Sequence, residues 1–236
     1  MEVAEANTTK NRHITTSKQL ALAVCFSGLY TITCFIPIFR IVGSQNFITL
    51  AAVLAPIMGI LFGPLVSATA TLVGGFIGFF AGALSPPSLV SGVVAGLFAG
   101  FLQVRKRKLC IFFYIVLLLV FGLYPLVGPV WLFPPYMCFQ AVGLLILIWL
   151  ARNRRNINLP VKFLMLSMAS TLAGQIAGSL TFEVLYWPFI LPDLNVWKAI
   201  WQATTFIYPV ERILIAFGST IIGVAVHKAL QNVGLV

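Results

Sequence analysis

The sequence predicts an all-α integral membrane protein: a polytopic bundle of about eight transmembrane helices, with six as the alternative count and both termini in the cytoplasm. Three observations predict it. Of 236 residues, 60% are hydrophobic and only 8% are charged, and the mean hydropathy is +1.03. A soluble domain is roughly half apolar and has nowhere to place so much apolar surface. The apolar residues fall into runs near the length that spans a hydrocarbon core. The cations cluster at the ends of those runs, on the same side each time the chain has crossed an even number of them. In lipid a helix satisfies its own backbone, so helices are the expected elements.

Residues 1–17 are polar and read as a cytoplasmic tail; residues 18–230 read as one transmembrane domain. Eight runs follow the tail, at about 18–39, 46–62, 64–84, 88–104, 109–128, 134–151, 161–187 and 198–228. The first run follows Lys10, Arg12 and Lys18. No small-x-small cleavage site closes it, so it reads as a retained helix rather than a signal peptide. Gly63-Pro64 separates the second run from the third, and nothing between Phe47 and Val104 is charged.

Glycine recurs every fourth residue in the third and fourth runs: Gly74, Gly78 and Gly82, then Gly92, Gly96 and Gly100, on either side of Ser85-Pro86-Pro87-Ser88. Four residues is close to one helical turn, so each ladder forms a groove on one face. Such a groove admits a neighbouring backbone, which makes these six glycines the predicted helix-packing positions. The fifth and sixth runs are crowded with proline (Pro125, Pro129, Pro134, Pro135), and short or re-entrant helices are the alternative there. Pro56 and Pro209 lie inside runs and predict kinks.

Charge tests the count. With the N-terminus inside, four crossings bring Arg105, Lys106, Arg107 and Lys108 back inside. Two more return Arg152, Arg154, Arg155 and Lys162, and the last two return His227 and Lys228. Twelve of the 15 Lys and Arg then lie inside. The net charge of +10 is therefore read as membrane anchoring beside the lipid bilayer, with no nucleic-acid partner.

Catalytic signatures are missing. There is no phosphate loop, no H-E-x-x-H and no G-x-S-x-G. Cys25, Cys34, Cys110 and Cys138 show no C-x-x-C spacing, so neither a disulfide framework nor a metal site is expected. No enzymatic activity, no metal and no cofactor are expected.

What remains polar inside the runs is the candidate site. Thr171, Gln175, Ser179 and Glu183 recur every four residues along the seventh run, with Gly174 and Gly178 beside them. Thr205, Tyr208, Arg212 and Ser219 share a face of the eighth, with Glu211 next to Arg212. Counted from the outer loop at ~1.5 Å per residue, Glu183 lies near the outer end while Gln175, Glu211 and Arg212 lie nearer mid-membrane. Charges at that depth cost several kcal/mol unless paired or hydrated. They either contact a ligand or ion, or form a structural pair that locks the last two helices. Arg40, almost the sole outward cation of the first half, suits an anionic or carbonyl group. The predicted substrate-binding set is Arg40, Asn46, Gln175, Glu183, Trp187, Tyr208, Glu211 and Arg212, with the Ser85–Ser88 loop as a lid or wall.

From Leu20 to Gly100 the chain resembles the substrate-binding S component of energy-coupling factor transporters. The resemblance is carried by Ala-Leu-Ala-Val-Cys-Phe-Ser-Gly at 21–28, Ile48 to Leu54, Gly59 to Leu65, the two glycine-rich helices and the proline-bearing loop. Trp197-Lys198-Ala199-Ile200 and the long last helix add to it. It implies capture of a vitamin-like small organic solute at the outer face of the cell membrane. It also implies partners, a coupling membrane subunit and ATPase subunits, with Ala23 and Ser27 on the face that meets the coupling subunit. Three functions follow as expectations: a solute-binding subunit of a multi-component importer, a self-contained proton- or cation-coupled secondary transporter, or a structural or assembly protein without ligand.

Overall fold

The computed structural model describes residues 2–153 and 158–232, with side chains from Ser17 onward. Arg154 and Arg155 of the third expected cationic cluster lie outside the described residues, as do the side chains of Lys10 and Arg12. The protein is a multi-pass helical membrane domain. α1 (Glu2–Cys34) carries the polar N-terminal segment and the first apolar run in one helix. A short antiparallel pair follows, β1 (Pro37–Arg40) and β2 (Phe47–Thr49), with Arg40 opposite Phe47 and Pro37 opposite Thr49. Then come α2 (Ala51–Phe80), α3 (Pro86–Gln103), α4 (Arg107–Gly122), the single-turn α5 (Pro129–Leu132), α6 (Tyr136–Arg152), α7 (Leu159–Tyr186) and α8 (Leu194–Asn232). By length and composition α2, α3, α7 and α8 are apolar enough to cross a membrane.

The chain thus departs from a purely helical reading in the loop after α1. Residues 46–50 were expected to open the second helix, but β2 pairs its backbone with β1 and the helix starts at Ala51. Alternating Phe47 and Ile48, one exposed and one buried, suit a half-buried strand. The proline-rich region differs too. α4 stops at Gly122 rather than continuing to 128, and Pro125, Pro129, Pro134 and Pro135 fill a connection holding only α5. Proline lacks the N–H that would continue the ladder.

α2 is not a straight rod. Gly63 has φ 83° and ψ 179°, a region open essentially to glycine alone. Pro64 restarts the helix, where its missing N–H is harmless. The Ser67 hydroxyl comes 3.5 Å from the Ala55 carbonyl oxygen, although twelve residues of continuous helix would separate them by about 18 Å. The chain therefore doubles back at Gly63, and the expected break between the second and third runs is where the fold reverses.

Glycine then sets the packing. A Cβ on Gly59 would strike the Gly96 carbonyl oxygen and lie 2.8 Å from the Gly100 nitrogen. Gly100 faces Pro64, Gly96 faces the Ser67 hydroxyl, and Gly92 faces the Tyr30 hydroxyl. Gly74 and Gly78 receive α1 at Ser27 and Cys34. Helices surrounded by lipid gain little from apolar burial against each other, so this backbone-to-backbone approach and its van der Waals contact hold them together. Gly82 is the exception to the predicted ladder. It is exposed at φ 76° with no neighbour for a Cβ. Its role is to end α2: the Gly82 N–H reaches the Phe79 oxygen at 2.9 Å and the Ala83 N–H the Gly78 oxygen at 2.8 Å, the paired bonds of a Schellman stop.

Arg105, Arg107, Lys162 and His227 gather at one end of the bundle. The Arg107 guanidinium donates to the carbonyl oxygens of Leu150 and Asn153, Lys162 lies within electrostatic reach of Arg105 and Arg107, and His227 meets Phe163 with ring centroids 5.9 Å apart. The opposite end carries the β1–β2 hairpin, the α2–α3 turn and the α7–α8 loop. Between the ends, large apolar side chains such as Leu20, Val24, Leu65, Phe206 and Ile221 point outward, the surface that meets lipid.

Candidate functional site

A cavity of ≈ 90 Å³ opens at the end opposite the Arg105–Arg107 cluster. One water needs roughly 10–15 Å³ measured this way, so a compact solute fits. Five segments give it polar groups. α1 gives Tyr30, the hairpin gives Ser44, the α2–α3 turn and α3 give Ser85, Ser88 and Ser91, α7 gives Gln175 and Ser179, and α8 gives Tyr208 and Arg212. Phe182, Ile200 and Trp201 supply the apolar walls.

The α7 and α3 contributions meet because their small residues allow it. Gly174 packs on the Ser91 carbonyl and Gly178 on the Pro87 carbonyl, which brings the α7 polar seam level with the α3 serines. At the mouth, Ser85 caps α3: its hydroxyl accepts from the Ser88 N–H at 3.4 Å and exchanges a 3.0 Å bond with the Ser88 hydroxyl. Pro86 and Pro87 occupy the first turn of α3, so this helix start offers hydroxyls rather than free N–H groups.

Behind the cavity lies an aromatic wall. Trp201 packs against Tyr136 at 5.2 Å, Phe121 at 5.6 Å and Trp197 at 5.9 Å between centroids. Its indole N–H donates to the Val127 carbonyl at 2.8 Å, tying α8 to the proline-rich connection. The Tyr136 hydroxyl accepts from the Gln175 amide at 2.9 Å, which fixes the way Gln175 faces the cavity.

Arg212 is the charged group on the wall. It is 6% exposed, its guanidinium stands 5.6 Å from the Tyr208 ring centroid, and its nearest carboxylate oxygen, on Glu211, is 3.9 Å away. Its Nε has no hydrogen-bond partner among the described residues, and neither does the Gln175 Oε1. Buried polar atoms of this kind are normally paired, so both are candidates for contact with a ligand.

Of the eight predicted binding residues, Gln175, Tyr208 and Arg212 line the cavity; Arg40, Asn46, Glu183, Trp187 and Glu211 do not. Arg40 and Asn46 are exposed, and the Asn46 amide is spent on the Ser44 hydroxyl at 2.9 Å. Arg40 was singled out because it is an outward cation, but the hairpin points its end of β1 into solvent. Trp187 is half-buried in the apolar core. Glu183 is fully buried, with both oxygens unpartnered among the described residues, and lies off the wall. Glu211 sits beside Arg212 rather than in the cavity. Ser27 is turned into its own chain: its hydroxyl donates to the Ala23 oxygen at 2.6 Å, and it packs where Gly74 admits α1.

The sequence reading missed Tyr30, Ser44, Ser91 and Trp201. One signal was available: Ser85, Ser88 and Ser91 recur every three residues from the helix start, a hydroxyl stripe on one face. Among the described residues no group of His, Cys, Asp and Glu is placed to hold a metal ion.

Comparison with curated proteins and with solved structures gave no match. A protein-family comparison did. Residues 3–185 match the 5TMR of 5TMR-LYT, a five-transmembrane receptor family of sensor histidine kinase type. The match runs from α1 nearly to the end of α7, so α8, with Tyr208, Glu211 and Arg212, lies beyond it. It overturns the resemblance to an energy-coupling factor S component, whose features here were apolar runs, Gly-Pro breaks and glycine ladders. Those features report close helix packing and are shared by membrane bundles of different families. With it falls the ground for assigning Ala23 and Ser27 to a coupling subunit. The protein is a multi-pass protein of the cell membrane, and its chain belongs to the 5TMR-LYT family.

Proposed function

We propose that this chain is the solute-receiving membrane domain of a sensory protein, and that it holds a compact organic anion in the cavity between α3, α7 and α8. One observation carries the reading: Arg212 faces that cavity buried, with an unpaired Nε and no carboxylate within hydrogen-bond distance. A buried guanidinium presents a planar fork suited to a carboxylate or similar anion. Gln175, Ser179, Tyr208 and the α3 serines add neutral hydrogen bonds, and Trp201 and Phe182 give the apolar walls such sites use. Membership in a receptor family favours sensing as the output.

In this reading the cationic end is cytoplasmic and the cavity faces outward. The fold-back of α2 at Gly63 supports both termini inside, since α1 and α8 then each have their cationic end on that side.

The test is binding by the purified chain in detergent. Mass spectrometry of co-purifying small molecules and a panel of short organic acids should find an anion that wild type binds. Arg212→Gln should lose it by 100-fold or more, while Arg40→Gln retains it. Equal binding by wild type and Arg212→Gln would sink the proposal. The importer reading makes a different demand: the solute must accumulate in vesicles when the chain is supplied with its energising partners. Binding without accumulation supports the sensor.

A further inference from the structure

Glu211 and Arg212 are consecutive on α8, and the cavity uses only one of them. The two residues are 4% and 6% exposed. Their closest approach, Nη2 to Oε2, is 3.9 Å, beyond the 2.7–3.2 Å of an N–H···O hydrogen bond. Glu211 Oε2 and Arg212 Nε have no hydrogen-bond partner among the described residues. A buried ion pair normally recovers its desolvation cost through close, often bidentate, hydrogen bonds. This one does not. Glu211 compensates the guanidinium charge from beside it at a distance too long for a hydrogen bond, and of the two residues it is Arg212 that lines the cavity.

We infer that Glu211 is the affinity-setting counter-ion of the anion site, an inference that rests on the anion-receiving reading of the cavity. With the cavity empty, Glu211 offsets the Arg212 charge and keeps the guanidinium from collapsing onto other acceptors. When an anion enters, the guanidinium stands between two negative groups. Their repulsion weakens the hold on the ligand and keeps binding reversible, as a receptor reporting a changing concentration requires. Two charges roughly 8 Å apart at an effective dielectric near 20 alter binding by on the order of thirtyfold. Glu211 is a positioning residue: it acts through Arg212. A purely structural lock between α7 and α8 would give the opposite result on removal, a looser site and weaker binding.

The test uses the intact chain in detergent, with acetate as the carboxylate probe and acetamide as its neutral counterpart. Thermal unfolding midpoints are read against probe concentration. Wild type should be stabilised by acetate above acetamide. Glu211→Gln should reach half its maximal shift at about thirtyfold lower acetate, and Glu211→Asp, whose shorter arm draws the charge back, should fall between the two. Arg212→Gln should show no difference between the probes. A half-saturating acetate concentration in Glu211→Gln equal to or above that of wild type overturns the inference while leaving the anion site standing. Should Glu211→Gln not fold, the same criterion applies to Glu211→Asp. Acetate no better than acetamide on wild type overturns the anion site and the inference together.

Discussion

The Ser67 hydroxyl lies 3.5 Å from the Ala55 carbonyl oxygen, a contact between two residues of one helical segment that an unbroken helix forbids. Everything about the first half follows from that reversal. It lets Gly59 and Gly100 meet across the turn, stacks both halves of α2 on α3, and returns the chain toward the cavity end at Ser85.

Gly63→Ala should lower the unfolding midpoint in detergent, with a cost of roughly 1–3 kcal/mol from backbone strain alone. There is open space where the Cβ would go, so a loss isolates the conformational requirement at φ 83°. Gly28→Ala is the control: it too has an open position, inside α1, and should be neutral or slightly stabilising. Equal midpoints for the two variants would contradict the reversal.

Gly59→Ala should also destabilise, for a steric reason. Its Cβ meets the backbone of Gly96 and Gly100, which cannot rotate aside as a side chain can. Overpacking of this kind costs about 1–3 kcal/mol. Gly218→Ala, whose Cβ would rest 3.6 Å from a Val53 methyl, should keep the wild-type midpoint. Thermal melts of the pair decide the point.

Arg105→Gly should raise stability by ~0.5–1 kcal/mol. Arg105 sits at φ 61° just past α3, with its N–H on the Leu102 oxygen at 3.1 Å and the Lys106 N–H on the Phe101 oxygen at 2.9 Å. That is the same helix stop Gly82 makes after α2, built here with a residue that pays for the left-handed backbone. Arg105→Ala removes the same charge without relieving the backbone and should show no gain, which separates conformation from electrostatics.

Tyr136→Phe should weaken solute binding and cost about 1–3 kcal/mol of stability, because it strands the buried Gln175 amide. Tyr114→Phe removes a comparable buried bond, the 2.7 Å donation to the Gln140 oxygen, away from the cavity. It should lose stability while binding stays at the wild-type level. Weaker binding in both variants would mean that general loosening, rather than Gln175 placement, controls the site.

Part of the site was legible in the chain. Gln175 and Arg212 stood out because polar groups in apolar helices are costly and rarely placed without a partner, and both line the cavity. Glu183 stood out for the same reason and does not. The rule that finds an expensive group says nothing about which side of the helix faces a ligand. Arg40 shows the converse: an outward cation looks available, yet it lies exposed and off the cavity wall. Ser44, Ser91 and Tyr30 could not be found by cost, since an uncharged hydroxyl in a loop or a helix is far less costly than a buried charge.

By itself the sequence determined the solvent and the periodicity. Its apolar content demanded lipid, its cation clusters gave the runs a common end, its Gly63-Pro64 step marked the reversal, and its glycine ladders called for close packing. These are properties of single segments and their neighbours along the chain. Only the tertiary structure decided which ladder glycine packs and which one, Gly82, merely turns, and which polar residues of five segments share a cavity. It also decided that Glu211 stands beside the site while Arg212 stands in it. Those outcomes depend on helix rotation and depth. In lipid these are fixed by side-chain fit between helices rather than by the apolar pattern, which is nearly the same on every face.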